Sequence, residues 1–567
     1  MTSEIRGAPK GFNRRSALGL AAGAGGLIAM AQDPARAASA SPGNRSAPQP
    51  ISTPGSAVAL TRYGKVRGYV RGGIYTFKGI PYGADTGGAN RWLPPKAPSS
   101  WSGTRSALTY GPVCPHPVRG DWGKDEAQFI YDWDDGYPGE DMLRVNVWTQ
   151  HLDPQAKAPV MVWIHGGGYS SGSSQELPFY DGENLARRGV VLVSLNHRLN
   201  ALGFMDISQI GGPAYRDSAN VGLLDLAFAL EWVRDNIAAF GGDPSRVTIF
   251  GQSGGGSKVT SLMAMPSAKG LFHRAVVQSG GGGLMPDSGK SQAYAAAVMS
   301  ELGLAANDIA GLQKMDHARL LSAGAAAAAK INGPGGFGFG GPPPRVARVG
   351  FSPTFDGRII AEMPFVTAAP TISKDVPLII GNVREEAFDV GQPTTDEQWR
   401  ERLRKTYGDS KGDAVMAAVK AAFPGETATK LTLTSTGLNV RNSMLNMANL
   451  KAAQAAQGGA PAYSYWFTWQ PVTVLEGRSG AFHCLDIAFC FDNTRRAEQA
   501  TGDTPAARSL ATKMSQAWIN FAATGNPGQP GLAWTPYDPR QVNTMVFDNA
   551  PGMRNDPAGP ARRALQA

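Results

Sequence analysis

A serine set between glycines just after a buried strand constrains this chain more than any other feature. The run Ile249-Phe250-Gly251-Gln252-Ser253-Gly254-Gly255-Gly256-Ser257-Lys258 follows Arg246-Val247-Thr248, and Val247–Phe250 reads as a short buried strand. Gly-x-Ser-x-Gly at a strand-to-helix turn is a nucleophile elbow. Such a turn strains the serine backbone, and only hydrogen on the flanking α-carbons lets neighbouring chain pass close by. The hydroxyl then projects above the sheet, and the next N–H, that of Gly254, points where an oxyanion would form. A second match, Gly408-Asp409-Ser410-Lys411-Gly412, follows the charged helical run Glu401–Tyr407 with no strand before it. It reads as a surface loop, so only Ser253 has the required context.

Composition narrows the classes. With 42% hydrophobic and 17% charged residues the chain is globular. The net charge of +9 lies partly in the N-terminal tail, and no Lys/Arg block or nucleic-acid motif follows, so no nucleic-acid partner is expected. Three cysteines, Cys114, Cys484 and Cys490, cannot all pair within one chain, which excludes a disulfide scaffold. There is no His-Glu-x-x-His and no Cys/His cluster with zinc-ligand spacing, so neither a metal nor an organic cofactor is implied. Gly333-Pro334-Gly335-Gly336-Phe337-Gly338 matches a dinucleotide pattern by letter, but no strand precedes it and prolines follow. We read Asn332–Pro344 as a mobile loop, placed either beside a substrate pocket or on the surface.

The tail has its own signature. Asn13-Arg14-Arg15-Ser16-Ala17-Leu18 opens a weakly apolar stretch, Gly19–Ala31, and small residues follow at Ala35-Arg36-Ala37 and Ala38-Ser39-Ala40. A positive start, a short apolar core and small residues before a cut define an export signal. The paired arginines resemble the twin-arginine type, which carries proteins already folded. We expect residues 1–37 to be a signal peptide, with cleavage after Ala37 or Ala40, and the protein to be periplasmic or secreted. Residues 38–57, rich in Ser, Pro and Gly, read as a disordered linker, and 58–567 as a single domain. No later run is long and apolar enough to span a membrane, so no stable membrane insertion is expected after the signal is removed.

Within the domain, Val58–Val70 and Ile74–Phe77 alternate like a small hairpin. Pro159–Ile164 and Val190–Leu195 are apolar runs typical of strands covered on both faces, and Ala275–Gly280 and Val376–Gly381 read as further strands. Asn220–Phe240 has helical periodicity, with Leu223, Leu226, Ala227, Leu230, Val233 and Ile237 on one stripe. Ala323–Ala329 reads as an alanine-rich helix end. Strands alternating with helices predict an α/β fold with a mostly parallel sheet and helices on both faces.

From about Val58 to Asp548 the chain resembles the type-B carboxylesterase/lipase family, the α/β-hydrolases that include cholinesterases and bacterial p-nitrobenzyl esterases. The resemblance rests on Lys78–Tyr82, Glu140–Trp148, His165–Tyr169, Asn220–Ser253, Gln278-Ser279-Gly280, Phe355-Asp356-Gly357, Glu386, Ala481-Phe482-His483 and Ala517–Phe521, in order. It implies an α/β-hydrolase fold and hydrolysis of a small-molecule carboxylic ester through an acyl-enzyme. A lipase or amidase using the same site, or a catalytically silent binding domain of this fold, are the alternatives.

That chemistry needs an activated hydroxyl, a base, a group to orient the base, and donors for the oxyanion. Ser253 supplies the hydroxyl. In this fold the chain order is serine, acid, histidine. His483 lies in a loop after the aromatic strand Tyr463–Trp469, whereas His273 reads as structural and His317 as exposed. The family pattern places the acid second in Glu385-Glu386, which makes Glu386 the triad member and Glu385 a surface or supporting carboxylate. The expected oxyanion donors are the N–H groups of Gly167, Gly168 and Gly254, and Ser279 resembles the serine that supports the acid. Two departures stand beside the nucleophile. Gln252 replaces the usual glutamate, removing a charge near the imidazole, and Gly254 replaces the usual alanine. Met142 replaces the cysteine of a loop disulfide, so Cys114 has lost the mate the resemblance implies. Cys484 and Cys490 are close enough in sequence to pair, although small apolar packing is their expected role. Oligomeric state is open.

The export reading has a direct check. Changing Arg14 and Arg15 together to lysine should leave precursor in the cytoplasm, as followed by fractionation and N-terminal sequencing. Normal export of the double variant would point to the general secretion route.

Overall fold

The computed structural model of the chain describes residues 48–116, 125–333, 346–387, 393–471 and 479–566. Residues 1–37, read as the signal, and most of the glycine-phenylalanine loop lie outside them. Pro48–Ala567 clusters as one unit.

Among the described residues the strands run, in chain order, β1 (Val58–Thr61), β2 (Gly64–Arg67), β3 (Tyr69–Arg71), β4 (Ile74–Pro81), β5 (Thr104–Ser106), β6 (Arg144–Thr149) and β7 (Ala158–Ile164). They continue as β8 (Val191–Leu195), β9 (Gly242–Gln252), β10 (Arg274–Gln278), β11 (Leu378–Val383), β12 (Ala462–Phe467), β13 (Asn543–Phe547) and β14 (Gly552–Asn555). β1, β2 and β5 form a small sheet, and the other eleven form a large one in the order β14-β13-β12-β11-β10-β9-β7-β8-β6-β4-β3. The pairs from β8 through β7, β9, β10, β11 and β12 to β13 are parallel, with antiparallel strands on both flanks.

The strand period explains the layering. In β7, Val160, Val162 and Ile164 enter one core while Met161 and Trp163 enter another, because successive side chains point to opposite faces. The first core receives Leu223, Leu226 and Leu230 from helix Val221–Asn236 and Val259 and Leu262 from helix Gly254–Met263. The second receives Leu510, Met514 and Trp518 from helix Pro505–Thr524. This is the mostly parallel sheet with helices on both faces that the sequence predicts. The whole expected stripe of Leu223, Leu226, Ala227, Leu230, Val233 and Ile237 is buried. No helix of the described residues is long and apolar enough to cross a membrane.

Several details differ from expectation. The single N-terminal hairpin is two, β1–β2 and β3–β4, which go to different sheets. They divide at Gly68, where a β-carbon would lie 2.0 Å from the Thr76 carbonyl oxygen. Paired backbone also begins inside the stretch read as linker, since Ile51 and Val70 exchange hydrogen bonds of 2.8 and 2.9 Å. Ser410 is not in a loop. It sits in the exposed first turn of helix Asp409–Ala422, and only Gly408, at φ +86°, breaks the chain from helix Asp396–Tyr407.

Candidate active site

Ser253 sits between β9 and helix Gly254–Met263 at φ +56°, ψ −124°, a region a residue with a β-carbon occupies only when its surroundings force it. Its N–H donates to the Gln278 carbonyl at 2.8 Å, which ties the elbow to β10, and its carbonyl accepts from Ser257 N–H at 3.1 Å. Gly280 permits this approach, because a β-carbon there would stand 1.9 Å from the Ser253 carbonyl oxygen. Ser253 is partly exposed, whereas Gln252 and Gly254 on either side are buried.

The start of the helix packs directly on the end of β7. A β-carbon on Gly255 would lie 2.1 Å from the Ile164 carbonyl oxygen, and one on Gly254 would lie 2.3 Å from both N and Cα of Gly168. The glycine run after β7 turns back on itself, with Gly167 at φ +77° and Gly168 at φ +63°, conformations open to residues without a β-carbon. The structure therefore brings Gly168 and Gly254 together. As the first residue of its helix, Gly254 has no helical partner for its N–H. The departure from alanine at 254 acquires a physical reason, since an alanine there would force the Gly168 backbone or the helix start to shift.

On the far side, Glu386 Oε2 lies 2.6 Å from His483 Nδ1, and Glu386 Oε1 accepts from Val383 N–H at 3.2 Å. Glu386 is fully buried and His483 nearly so. Nδ1–H donating to the carboxylate leaves Nε2 as the basic nitrogen. Glu386 itself stands at φ +59° and Cys484 at φ +71°. Glu385 is not a surface group. It is fully buried, pairs with Arg384 at 2.5 Å and accepts from Ala481 N–H at 2.6 Å. It thus anchors the loop that carries His483. Burial pushes its pKa up, and the Arg384 guanidinium opposes that shift.

Gln252 Nε2 lies 3.3 and 3.2 Å from the two ring nitrogens of His483. Near-equal distances place the amide over the face of the ring, off both in-plane lone pairs. Its Oε1 accepts from the Cys484 thiol at 3.2 Å. Ser279 departs from its expected role. Its backbone is at φ +49° and its N–H donates to the Gly381 carbonyl at 2.8 Å, but its hydroxyl is buried with no hydrogen-bond partner among the described residues. Val383 N–H, not Ser279, supports the Glu386 carboxylate.

The other candidates lie elsewhere. His273 Nδ1 accepts from Val247 N–H at 3.2 Å beneath the sheet's strand ends, and His317 opens helix His317–Asn332 with its side chain 37% exposed. All three cysteines are buried and no disulfide joins any two of them, so Cys484 and Cys490 do not pair. The Cys114 sulfur accepts from Leu199 N–H at 3.2 Å, and burial pushes its pKa up to about 12.

Two buried groups escaped the sequence reading. Tyr131 donates its hydroxyl to the His483 carbonyl at 2.6 Å, bringing helix Asp125–Tyr131 against His483. Asp486, on the short helix after His483, accepts from the Tyr465 hydroxyl at 2.7 Å and from Gln278 Nε2 at 3.0 Å. Burial raises its pKa to about 6, with those two hydrogen bonds pulling down and the Glu386 charge pushing up. Neither carries a sequence motif, because each is defined by a partner far away in the chain.

The model of the carboxylesterase family matches residues 55–561. The para-nitrobenzyl esterase of Bacillus subtilis (strain 168) is 33% identical over 513 residues, covering 90% of this chain and 98% of that protein. The fumonisin B1 esterase of Sphingopyxis macrogoltabida is 31% identical over 505 residues, covering 87% of each. Among solved structures, an esterase from anaerobic Clostridium hathewayi that can hydrolyze aliphatic aromatic polyesters superposes with a TM-score of 0.78 at 34% identity, covering 92% of this chain and 99% of that one.

The close approach at Gly254 predicts that Gly254→Ala lowers kcat on a p-nitrophenyl ester by on the order of 100-fold, the loss of one misplaced oxyanion donor. Turnover equal to the parent's would show that the contact is not needed.

Proposed function

The chain belongs to the carboxylesterase family and is a carboxylic ester hydrolase, and from that premise we propose that it works through an acyl-enzyme on Ser253 with Glu386 and His483. The observation that carries this reading is the 2.6 Å contact of buried Glu386 with His483 Nδ1, on the same sheet edge as the partly exposed Ser253 on its strained elbow.

In the reaction, His483 Nε2 takes the Ser253 proton as Oγ attacks the ester carbonyl carbon. Glu386 keeps the ring in the productive tautomer and stabilises the imidazolium. The carbonyl oxygen, now negative, is received by the N–H groups of Gly167, Gly168 and Gly254. Collapse breaks the bond to the alcohol, which leaves with the proton from His483. Water, deprotonated by the same nitrogen, then attacks the acyl carbon and releases the acid and Ser253. No step needs a metal or an organic cofactor. The substrate is a small-molecule ester; the relatives' names, a para-nitrobenzyl esterase and a fumonisin B1 esterase, differ too much to fix its acyl or alcohol part. We also propose export of the folded protein, on the strength of Arg14-Arg15 and the small residues that follow.

Ser253→Ala should abolish turnover while leaving the thermal midpoint near the parent's. Intact-mass analysis after a serine-directed phosphonate should show one adduct, on Ser253. Glu386→Gln should lower kcat by roughly four orders of magnitude. Glu385→Gln should mainly lower thermal stability, because it loosens the Arg384 pair and the Ala481 anchor. An adduct on Ser410, or the reverse ranking of the two glutamates, would contradict the assignment.

A further inference from the structure

Lys258 takes no part in the steps above, yet it is a fully buried lysine five residues after the nucleophile. It lies on helix Gly254–Met263, and its Nζ donates to the His165 carbonyl at 3.0 Å and to the Gly166 carbonyl at 3.2 Å. A lysine with its ammonium out of water is expensive to keep unless its protons are bonded. Burial pushes its pKa down to about 7, against the attraction of Glu176 and the Cys114 thiol. From the end of β8, His197 faces it, held neutral by burial and by the Lys258 charge. Glu176 is itself engaged by Tyr180 and by Ser173 N–H.

The consequence follows from peptide geometry. The peptide unit that contains the Gly166 carbonyl also contains the Gly167 N–H. None of the described peptide bonds is cis, and in a trans unit the carbonyl and the N–H point in opposite directions. Fixing the Gly166 oxygen on Lys258 therefore aims the Gly167 N–H away from the lysine. The other two donors have the same anchorage at their carbonyls. The Gly167 oxygen accepts from Ser170 N–H at 3.2 Å and Ser171 N–H at 3.1 Å, which orients Gly168 N–H. The Ser253 oxygen accepts from Ser257 N–H, which orients Gly254 N–H. Only at Gly166 is the anchor a cation. A charged donor on the carbonyl also polarises the amide and makes its N–H a stronger donor.

We propose that Lys258 is a positioning residue of the oxyanion site, clamping the His165 and Gly166 carbonyls so that the Gly167 N–H is aimed and strengthened for the developing negative charge. The proposal rests on the acyl-enzyme reading, in which Gly167 is a donor. Lys258 touches no substrate and acts through the backbone.

The test is Lys258→Met, of similar length and without donors, measured with p-nitrophenyl acetate, a trifluoromethyl ketone that forms a hemiketal on Ser253, and the corresponding alcohol, which cannot. The expected result is a fall in kcat of about 10- to 100-fold with KM changed less than about twofold. The ketone should lose affinity by the same factor as kcat, and the alcohol should lose none. Lys258→Gln, which keeps a neutral donor, should lie between the two and serves as the readout if the methionine variant does not fold. Unchanged kcat and ketone affinity would overturn the proposal, as would an alcohol affinity that falls in step with the ketone's, since that marks general loosening. Phosphonate labelling of the parent is run alongside. Absence of the Ser253 adduct there would sink the acyl-enzyme reading itself, whereas a labelled parent with an indifferent Lys258→Met overturns the role of Lys258 alone.

Discussion

Backbone lies on backbone where helix Gly254–Met263 leaves Ser253, and the rest of the site depends on that contact. β7 and β9 are parallel neighbours, with Ile164 opposite Gly251. A β-carbon on Gly251 would stand 2.6 Å, and one on Gly255 2.1 Å, from the Ile164 carbonyl oxygen. Glycine at 251, 254 and 255 removes the side chains that would hold the helix off. The glycine loop after β7 is thereby seated against the start of that helix beside Ser253, and Lys258, further along, comes within reach of that loop's carbonyls. One helix thus carries at its start the proposed nucleophile and a proposed amide donor, and further along the lysine that holds the carbonyls of His165 and Gly166.

The opposite half of the site is held by buried charge. Glu386 faces His483, while Glu385, its chain neighbour, points to Ala481 N–H and Arg384. Adjacent carboxylates take these different jobs because Glu386 turns into the left-handed region. Ser253, Ser279, Glu386 and Cys484 all have positive φ, each at a cost of order 1–3 kcal/mol. All four stand where the chain leaves a strand end or enters a helix at the site. The packed sheet on both sides fixes strand positions well enough to hold such turns in place.

The legible part of this protein was the part written in short-range patterns. Apolar runs and helical periodicity gave the sheet and its two layers, because burial on both faces leaves a continuous signal along β7, β8, β10 and β11. The glycine-flanked serine and the glycine run after β7 were visible because backbone approach demands glycine locally. His483 and Glu386 needed the order of the family's motifs in addition. What stayed hidden was long-range pairing. Glu385 looked like a supporting or surface group because nothing local announces Ala481 or Arg384 as its partners. Nothing local announces the carbonyl partners of Lys258, and Asp486 and Tyr131 have no motif. Ser279 was expected at the acid, but its hydroxyl makes no such bond, and the Val383 N–H donates to the Glu386 carboxylate instead.

We propose that three amides, each fixed at its carbonyl, converge on one point above Ser253. A crystal structure of the Ser253 phosphonate adduct measures this directly. The expected result is a phosphonyl oxygen within hydrogen-bonding distance of the nitrogens of Gly167, Gly168 and Gly254, with Lys258 Nζ still on the carbonyls of His165 and Gly166. An oxygen turned away from those amides, or a glycine loop lifted off the helix in the adduct, would contradict it.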